Sequence, residues 1–151
     1  MEIRKINDYE ACLAIEVFNR EFLKRTLGNN EELQKLFIEE RKTKNQEILN
    51  QYINGEVEIF CLYNDDNMFA GTVMLDGDLV RHLAVRKYDQ NQGYGYKLLM
   101  YLSDYAKQKG LKKLKVECVG RNTPFYEKCG FKVVSGMEFT RYPHVRMEKD
   151  L

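Results

Sequence analysis

The run QNQGYGY, residues 90–96, sets Gly93 and Gly95 at the front of a stretch in which Leu98, Leu99, Leu102, Tyr105 and Ala106 recur at helical spacing. Glycine costs about 1 kcal/mol relative to alanine inside a helix, so two of them in a first turn call for a reason. A helix start carries unpaired amide hydrogens and roughly half a positive charge, and an anion satisfies both. Glycines let the backbone curl and let a phosphate approach the amides without a side chain in the way. Residues 90–96 therefore read as a phosphate cradle. From the two glycines alone, a strand-to-helix turn that needs positive φ reads equally well. Leu98 stands where a dinucleotide-binding fingerprint requires a third small residue, and no Gly-Lys-Ser/Thr follows, so neither a dinucleotide nor a nucleoside-triphosphate loop fits. The four cysteines, Cys12, Cys61, Cys118 and Cys129, lack CxxC or other ligand spacing. They read as reduced, mostly buried thiols, with no metal expected.

The elements that position the cradle follow from periodicity. Residues 2–6 read as a first strand, and residues 7 to about 25 as a helix opened by the Asn7/Glu10 pair, with Leu13, Val17 and Phe18 at helical spacing. After the stop at Gly28, a second helix reads from about 31 to 52, with Leu33, Leu36 and Phe37 on its face and a break expected near Thr43 to Asn45. Beyond Gly55 the period changes. VEIFCLYN and MFAGTVML read as a hairpin about NDDN, and residues 79–85 as a third strand leading into the cradle. Gly110 ends the glycine-led helix, LKKLKVECV is a strand, NTPFYEKCG a short helix, and FKVVSG and HVRMEK two last strands. The sum is a single α/β domain, a mixed central sheet of about six to seven strands flanked by about four helices.

With 151 residues, 44% hydrophobic and 31% charged, the chain reads as one soluble domain spanning 1–151. A net charge of +1 indicates no nucleic-acid or membrane partner, and the basic run at 107–115 suits a helix C-terminus complementing its dipole. The charged, alternating first residues offer no apolar leader, which makes a cytoplasmic location the expectation.

Val85, four residues, then Gln90-x-x-Gly93-x-Gly95 with Leu98-Leu99 resembles the acyl-CoA-binding motif of the GNAT superfamily of N-acetyltransferases. A second block, Asn122-Thr-Pro-Phe-Tyr126-Glu-Lys-Cys-Gly130-Phe131, resembles that family's later motif in its Phe-Tyr and Gly-Phe pairs. Together they cover residues 79 to 134. The resemblance implies acetyl-CoA as cosubstrate. Its pyrophosphate would lie on the amides around Gln90, Asn91, Gln92, Gly93, Tyr94, Gly95 and Tyr96, its pantetheine arm beside Leu83, Ala84 and Val85, and Asn122 would contact it further along. Tyr126 matches the family's general acid, with an aromatic packed on the sheet as the plain alternative. Pro124 and Lys87 depart from the usual pattern without removing an essential group. Direct transfer to the primary amine of a small molecule or peptide is the implied reaction. A non-catalytic acyl-CoA-binding or sensing domain is the competing reading, and homodimers are common among similar proteins.

For the general base, His82 ordinarily titrates near neutrality and lies in the strand leading to the cradle. Alternation sets Val80, His82 and Ala84 on one face and Arg81, Leu83 and Val85 on the other, and a structural histidine reads as well as a base. Glu117, on the neighbouring strand, is the second candidate, against a solvent-facing strand residue. The acceptor is expected to meet residues 20–54 and 135–145, where Glu31, Glu32, Glu39, Glu40 and Glu47 either attract a cation or are solvated helix faces, and where Arg141 and Tyr142 also lie.

Overall fold

Residues 58–63 read EIFCLY with no polar interruption after Glu58, the pattern of a strand buried on both faces. The computed structural model, which describes residues 1–6, 8–135, 138–139 and 143–151, places them in β2 (Glu58–Tyr63) and buries alternate residues in two separate cores. Ile59 and Cys61 join Ala11, Ala14, Ile15, Ile48 and Met74 on one face. Phe60 and Leu62 join Val73, Leu98, Leu99, Leu102 and Ala106 on the other. Helices α1 (Asp8–Glu21) and α2 (Glu31–Ile53) contribute to the first core, α3 (Tyr94–Gln108) and α4 (Thr123–Lys128) to the second.

Strands β1 (Glu2–Lys5), β2, β3 (Phe69–Asp76) and β4 (Leu79–Val85) form an antiparallel run. Asn64 accepts from the amides of Asp66 and Met68 at 3.0 Å each, closing the β2–β3 turn. β4 then meets β5 (Lys113–Cys118) in parallel, and β8 (Pro143–Asp150) and β6 (Lys132–Val133) complete the order β1-β2-β3-β4-β5-β8-β6, with β7 (Glu138–Phe139) paired to β8. The fold is a single α/β domain with a mixed seven-stranded path and four α-helices, as the sequence predicts.

Several local expectations change. α2 runs unbroken through Thr43–Asn45, where Thr43 Oγ1 donates to the Glu40 carbonyl and Asn19 donates to Asn45 at 2.9 Å, tying the middle of α2 to α1. Phe37 and Ile48 carry its burial while Leu36 is exposed. In α1 the burial falls on Ala11, Ala14, Ile15 and Val17 rather than Leu13. The α-helix ends at Glu21, and the chain continues as a single π-turn, Phe22–Thr26. Three cysteines, Cys61, Cys118 and Cys129, are free and buried as expected. Arg141 and Tyr142 lie outside the described residues.

Candidate functional site

β4 does not keep its alternation. Its register against β3 runs Val85–Gly71 and Ala84–Thr72, then jumps to Arg81–Met74, and His82 sits at φ 54 in the left-handed region. This is a β-bulge, and it resets the faces of the strand. Val80, Leu83 and Val85 all pack with the α3 core, correcting the expected grouping of Val80 with His82. His82 turns instead toward α1 and stacks on Phe18, with ring centroids 4.0 Å apart at 11°. Burial, with help from Arg41 and Arg81, holds its pKa well below the ordinary histidine value, so the imidazole is neutral at pH 7.

The bulge also ends the pairing of β4 with β5. Their ladder consists of Leu79–Lys115 and Val80–Val116, after which β5 stays with β8 as far as Cys118–Val145. The stretch from Arg81 to Val85 therefore offers a strand edge that β5 does not fill.

That edge runs into the glycine-led turn. Asn91 at φ 63 and Gly93 at φ 78 bend the chain, and α3 starts at Tyr94 with Gly93 as its N-cap. A Cβ on Gly93 would meet nothing within 4 Å, so its requirement is conformational. A Cβ on Gly95 would come 3.2 Å from Cζ of Phe125, so its requirement is the close approach of α4. The Lys97 amide is bonded to the Gly93 carbonyl at 3.0 Å, and the amides of Tyr94, Gly95 and Tyr96 before it are the orphan donors of a first turn.

The turn is fixed from below by side chains. Asp89, 5% exposed, accepts from Arg86 Nε at 2.8 Å and from Asn64 Nδ2 at 2.9 Å. The Gln90 amide donates to the Val85 carbonyl at 2.9 Å and to Glu21 Oε2 at 3.1 Å. Gln90 thus spends its side chain docking the turn onto β4 and α1.

These pieces enclose a cleft of about 820 Å³. Of the residues the sequence singles out, Leu83, Ala84, Val85, Gln90, Asn91, Gly93, Tyr94, Gly95, Tyr96, Asn122 and Tyr126 line it, and Gln92 does not. Neither candidate base lines it. His82 is covered by Phe18, and Glu117 is an exposed strand residue 3.7 Å from Arg146. Tyr126 is buried, its ring edge-on to Phe125 and Phe131, and burial raises its pKa so that the phenol keeps its proton. Burial likewise raises Cys118 and Cys129, leaving them as unreactive thiols.

The opposite wall falls partly within the 20–54 stretch expected to meet the acceptor, but apart from Phe18, read as a helix-face residue, its side chains are not named by the sequence reading. Phe18, Glu21, Phe22 and Arg25 reach the cleft from α1 and the π-turn, and Arg121 and Lys128 from around α4. Arg121 donates to the Arg25 carbonyl across the opening, and Lys128 Nζ lies 5.7 Å from the Tyr96 ring centre. Arginines and a lysine beside bare helix amides suit a polyphosphate. Among the described residues, no three His, Cys, Asp or Glu side chains form a group able to hold a metal ion, and no helix is long and apolar enough to cross a membrane.

A family model of the acetyltransferase (GNAT) domain matches residues 19–151. The chain belongs to the GNAT acetyltransferase family. Its fold is similar to a GCN5-related N-acetyltransferase from Rhodopseudomonas palustris, with TM-score 0.81, 16% identity, and 99% of this chain and 95% of that one covered. It is similar to PaiA N-acetyltransferase from Thermoplasma acidophilum in complex with coenzyme A, with TM-score 0.75, 22% identity, and 99% and 98% covered. A spermidine N-acetyltransferase chimera from Vibrio cholerae and hSSAT superposes with TM-score 0.67 at 18% identity, with 99% of this chain and 96% of that one covered. No curated protein matches the sequence of this GNAT chain significantly.

Proposed function

We propose that residues 1–151 form an N-acetyltransferase domain that moves an acetyl group from acetyl-CoA to the primary amine of a small molecule or peptide, by direct attack within a ternary complex. One observation carries this reading. The open edge of β4 beyond the His82 bulge leads straight to the bare N-terminus of α3, with Tyr126 on the same cleft. An extended pantetheine arm, which carries two amides, suits a strand edge, and a pyrophosphate suits the amides of Tyr94, Gly95 and Tyr96. The coenzyme A bound in the Thermoplasma acidophilum relative supports the same ligand, and spermidine acetylation by another relative supports an amine acceptor.

The reaction forms a C–N bond and breaks a C–S bond. A protonated amine must shed one proton to become nucleophilic and a second as the amide forms; water takes both, since neither His82 nor Glu117 lines the cleft, and one returns to the group that protonates the departing thiolate. Tyr126 is the donor for the sulfur, held protonated by its burial. The amide of Leu83, in the stretch of β4 that β5 leaves unfilled, is the group we assign to polarise the thioester carbonyl.

Free-thiol release from acetyl-CoA, followed across a panel of primary amines, tests the reaction. Release that depends on protein and on amine is the expected result. Stabilisation by CoA with no release for any amine would make the domain a binder or sensor instead.

A further inference from the structure

Glu21 is the one charged group of the cleft wall that is buried without an opposite charge. It is 7% exposed, lines the cleft, and has as its hydrogen-bond partner the neutral amide of Gln90 at 3.1 Å. The other carboxylate of the cleft, Asp89, is neutralised by Arg86 at 2.6 Å. Among the described residues no cation pairs with Glu21. Arg25, which follows in the π-turn and also lines the cleft, has an exposed side chain, and its carbonyl is bound by Arg121. The surroundings sharpen the contrast. Phe18 and Phe22, three residues before Glu21 and one after, also line the cleft, with centroids 5.4 Å apart. Taking a carboxylate out of water is unfavourable unless a charge compensates it, and a single neutral amide is a weaker partner than a cation. Single π-turns are frequent at functional sites, and this one begins at the residue after Glu21.

We infer that Glu21 is the anchor of the acceptor: its carboxylate binds the positive charge of a primary ammonium whose apolar body lies against Phe18 and Phe22. The rings, which also stack on His82 and Phe37, add an apolar surface to the charge pairing. This deepens the acetyltransferase reading above and rests on it, and it assigns recognition of the acceptor to α1 and the π-turn. The acids Glu39 and Glu47 of α2 are not candidates, since each is exposed and paired with a lysine of its own helix.

Equilibrium binding of 2-phenylethylammonium chloride and of the neutral isostere 2-phenylethanol, followed by NMR titration of the full chain, tests the anchor. The wild-type protein should bind the ammonium at least about tenfold more tightly than the alcohol, since a single pairing of this kind is worth 1.4 kcal/mol or more. Glu21→Gln keeps the shape and the hydrogen bond to Gln90 and should reduce the preference to within about threefold, a loss of roughly 0.7 kcal/mol or more. A thermal melt with CoA, run on both proteins, separates the two levels of the reading. Stabilisation of both by CoA with an unchanged preference in Glu21→Gln overturns the anchor alone. Equal binding of ammonium and alcohol by the wild type overturns it without reference to any variant. Absence of CoA stabilisation in the wild type overturns the acetyltransferase reading and the anchor with it.

Discussion

Tyr126 keeps its proton because α4 buries it beside Phe125 and Phe131, so the acid proposed for the departing thiolate stands in its protonated form at neutral pH. Tyr126→Phe removes the proton and little else. It should lower kcat about 100-fold or more while leaving KM for acetyl-CoA within about threefold, measured by thiol release under saturating amine. A KM change with kcat intact would make the tyrosine a packing residue. At this scale the sequence is an uneven guide. Gly93, Gly95, Asn122 and Tyr126 are legible because a motif fixes their spacing, and the two glycines prove to have separate reasons, a positive φ at Gly93 and the contact with Phe125 at Gly95. The grouping of Val80 with His82 fails because strict alternation assumes no bulge, and one left-handed residue reverses every face after it. Glu21 escapes notice because its burial depends on the turn it hydrogen-bonds, nearly seventy positions away in the chain. Its signal is a carboxylate interrupting the apolar face formed by Val17, Phe18 and Phe22.

At the scale of elements, the placement of α3 over the sheet is held partly by charge. Glu58 of β2 accepts from Tyr105 of α3 and from Lys109 at its C-cap, and pairs with Lys5 of β1 at 3.1 Å. Burial opposes ionisation of Glu58, but the hydrogen bonds from Lys109, Tyr105 and Lys5 outweigh it and hold its pKa below the usual carboxylate value. A depressed folded-state pKa gives stability that is present above the unfolded value, about 4.3, and is lost as pH falls through the lower folded value. Melting temperatures recorded from pH 6 to pH 3 should therefore fall for the wild type, and Glu58→Gln should remove part of that slope. At pH 7 the variant should be less stable by about 1–2 kcal/mol, the worth of hydrogen bonds to a charged acceptor. A variant with the wild-type pH slope would contradict the role of Glu58 as a stitch between α3 and the sheet. Elements of this kind are largely legible in the sequence, since the patterns of β2, β3, α3 and β5 are clean. α2 is read as broken because Thr43 and Asn45 are poor helix formers, and the cross-helix bond from Asn19 to Asn45 is a tertiary fact.

For the whole molecule, the two cores clamp β2 and β3 from both faces, while β4 and β5 separate beyond Val80 with α3 and α4 on either side of the opening. The sheet is thus packed on both faces at its centre and interrupted where the cleft lies. Neither the interruption nor the wall supplied by α1 is written in local periodicity, because both come from the bulge at His82 and from how α1 crosses β4. A ligand that fills the opening bridges β4, the first turn of α3 and the neighbourhood of α4, and it should stabilise the fold as a unit. Thermal unfolding of the full chain with and without CoA measures that bridging directly. At about 100 times its dissociation constant CoA should add roughly 2.7 kcal/mol and raise the melting temperature on the order of 5–10 °C. An unchanged melting temperature with both CoA and acetyl-CoA would contradict the assignment of the cleft as an acyl-donor site.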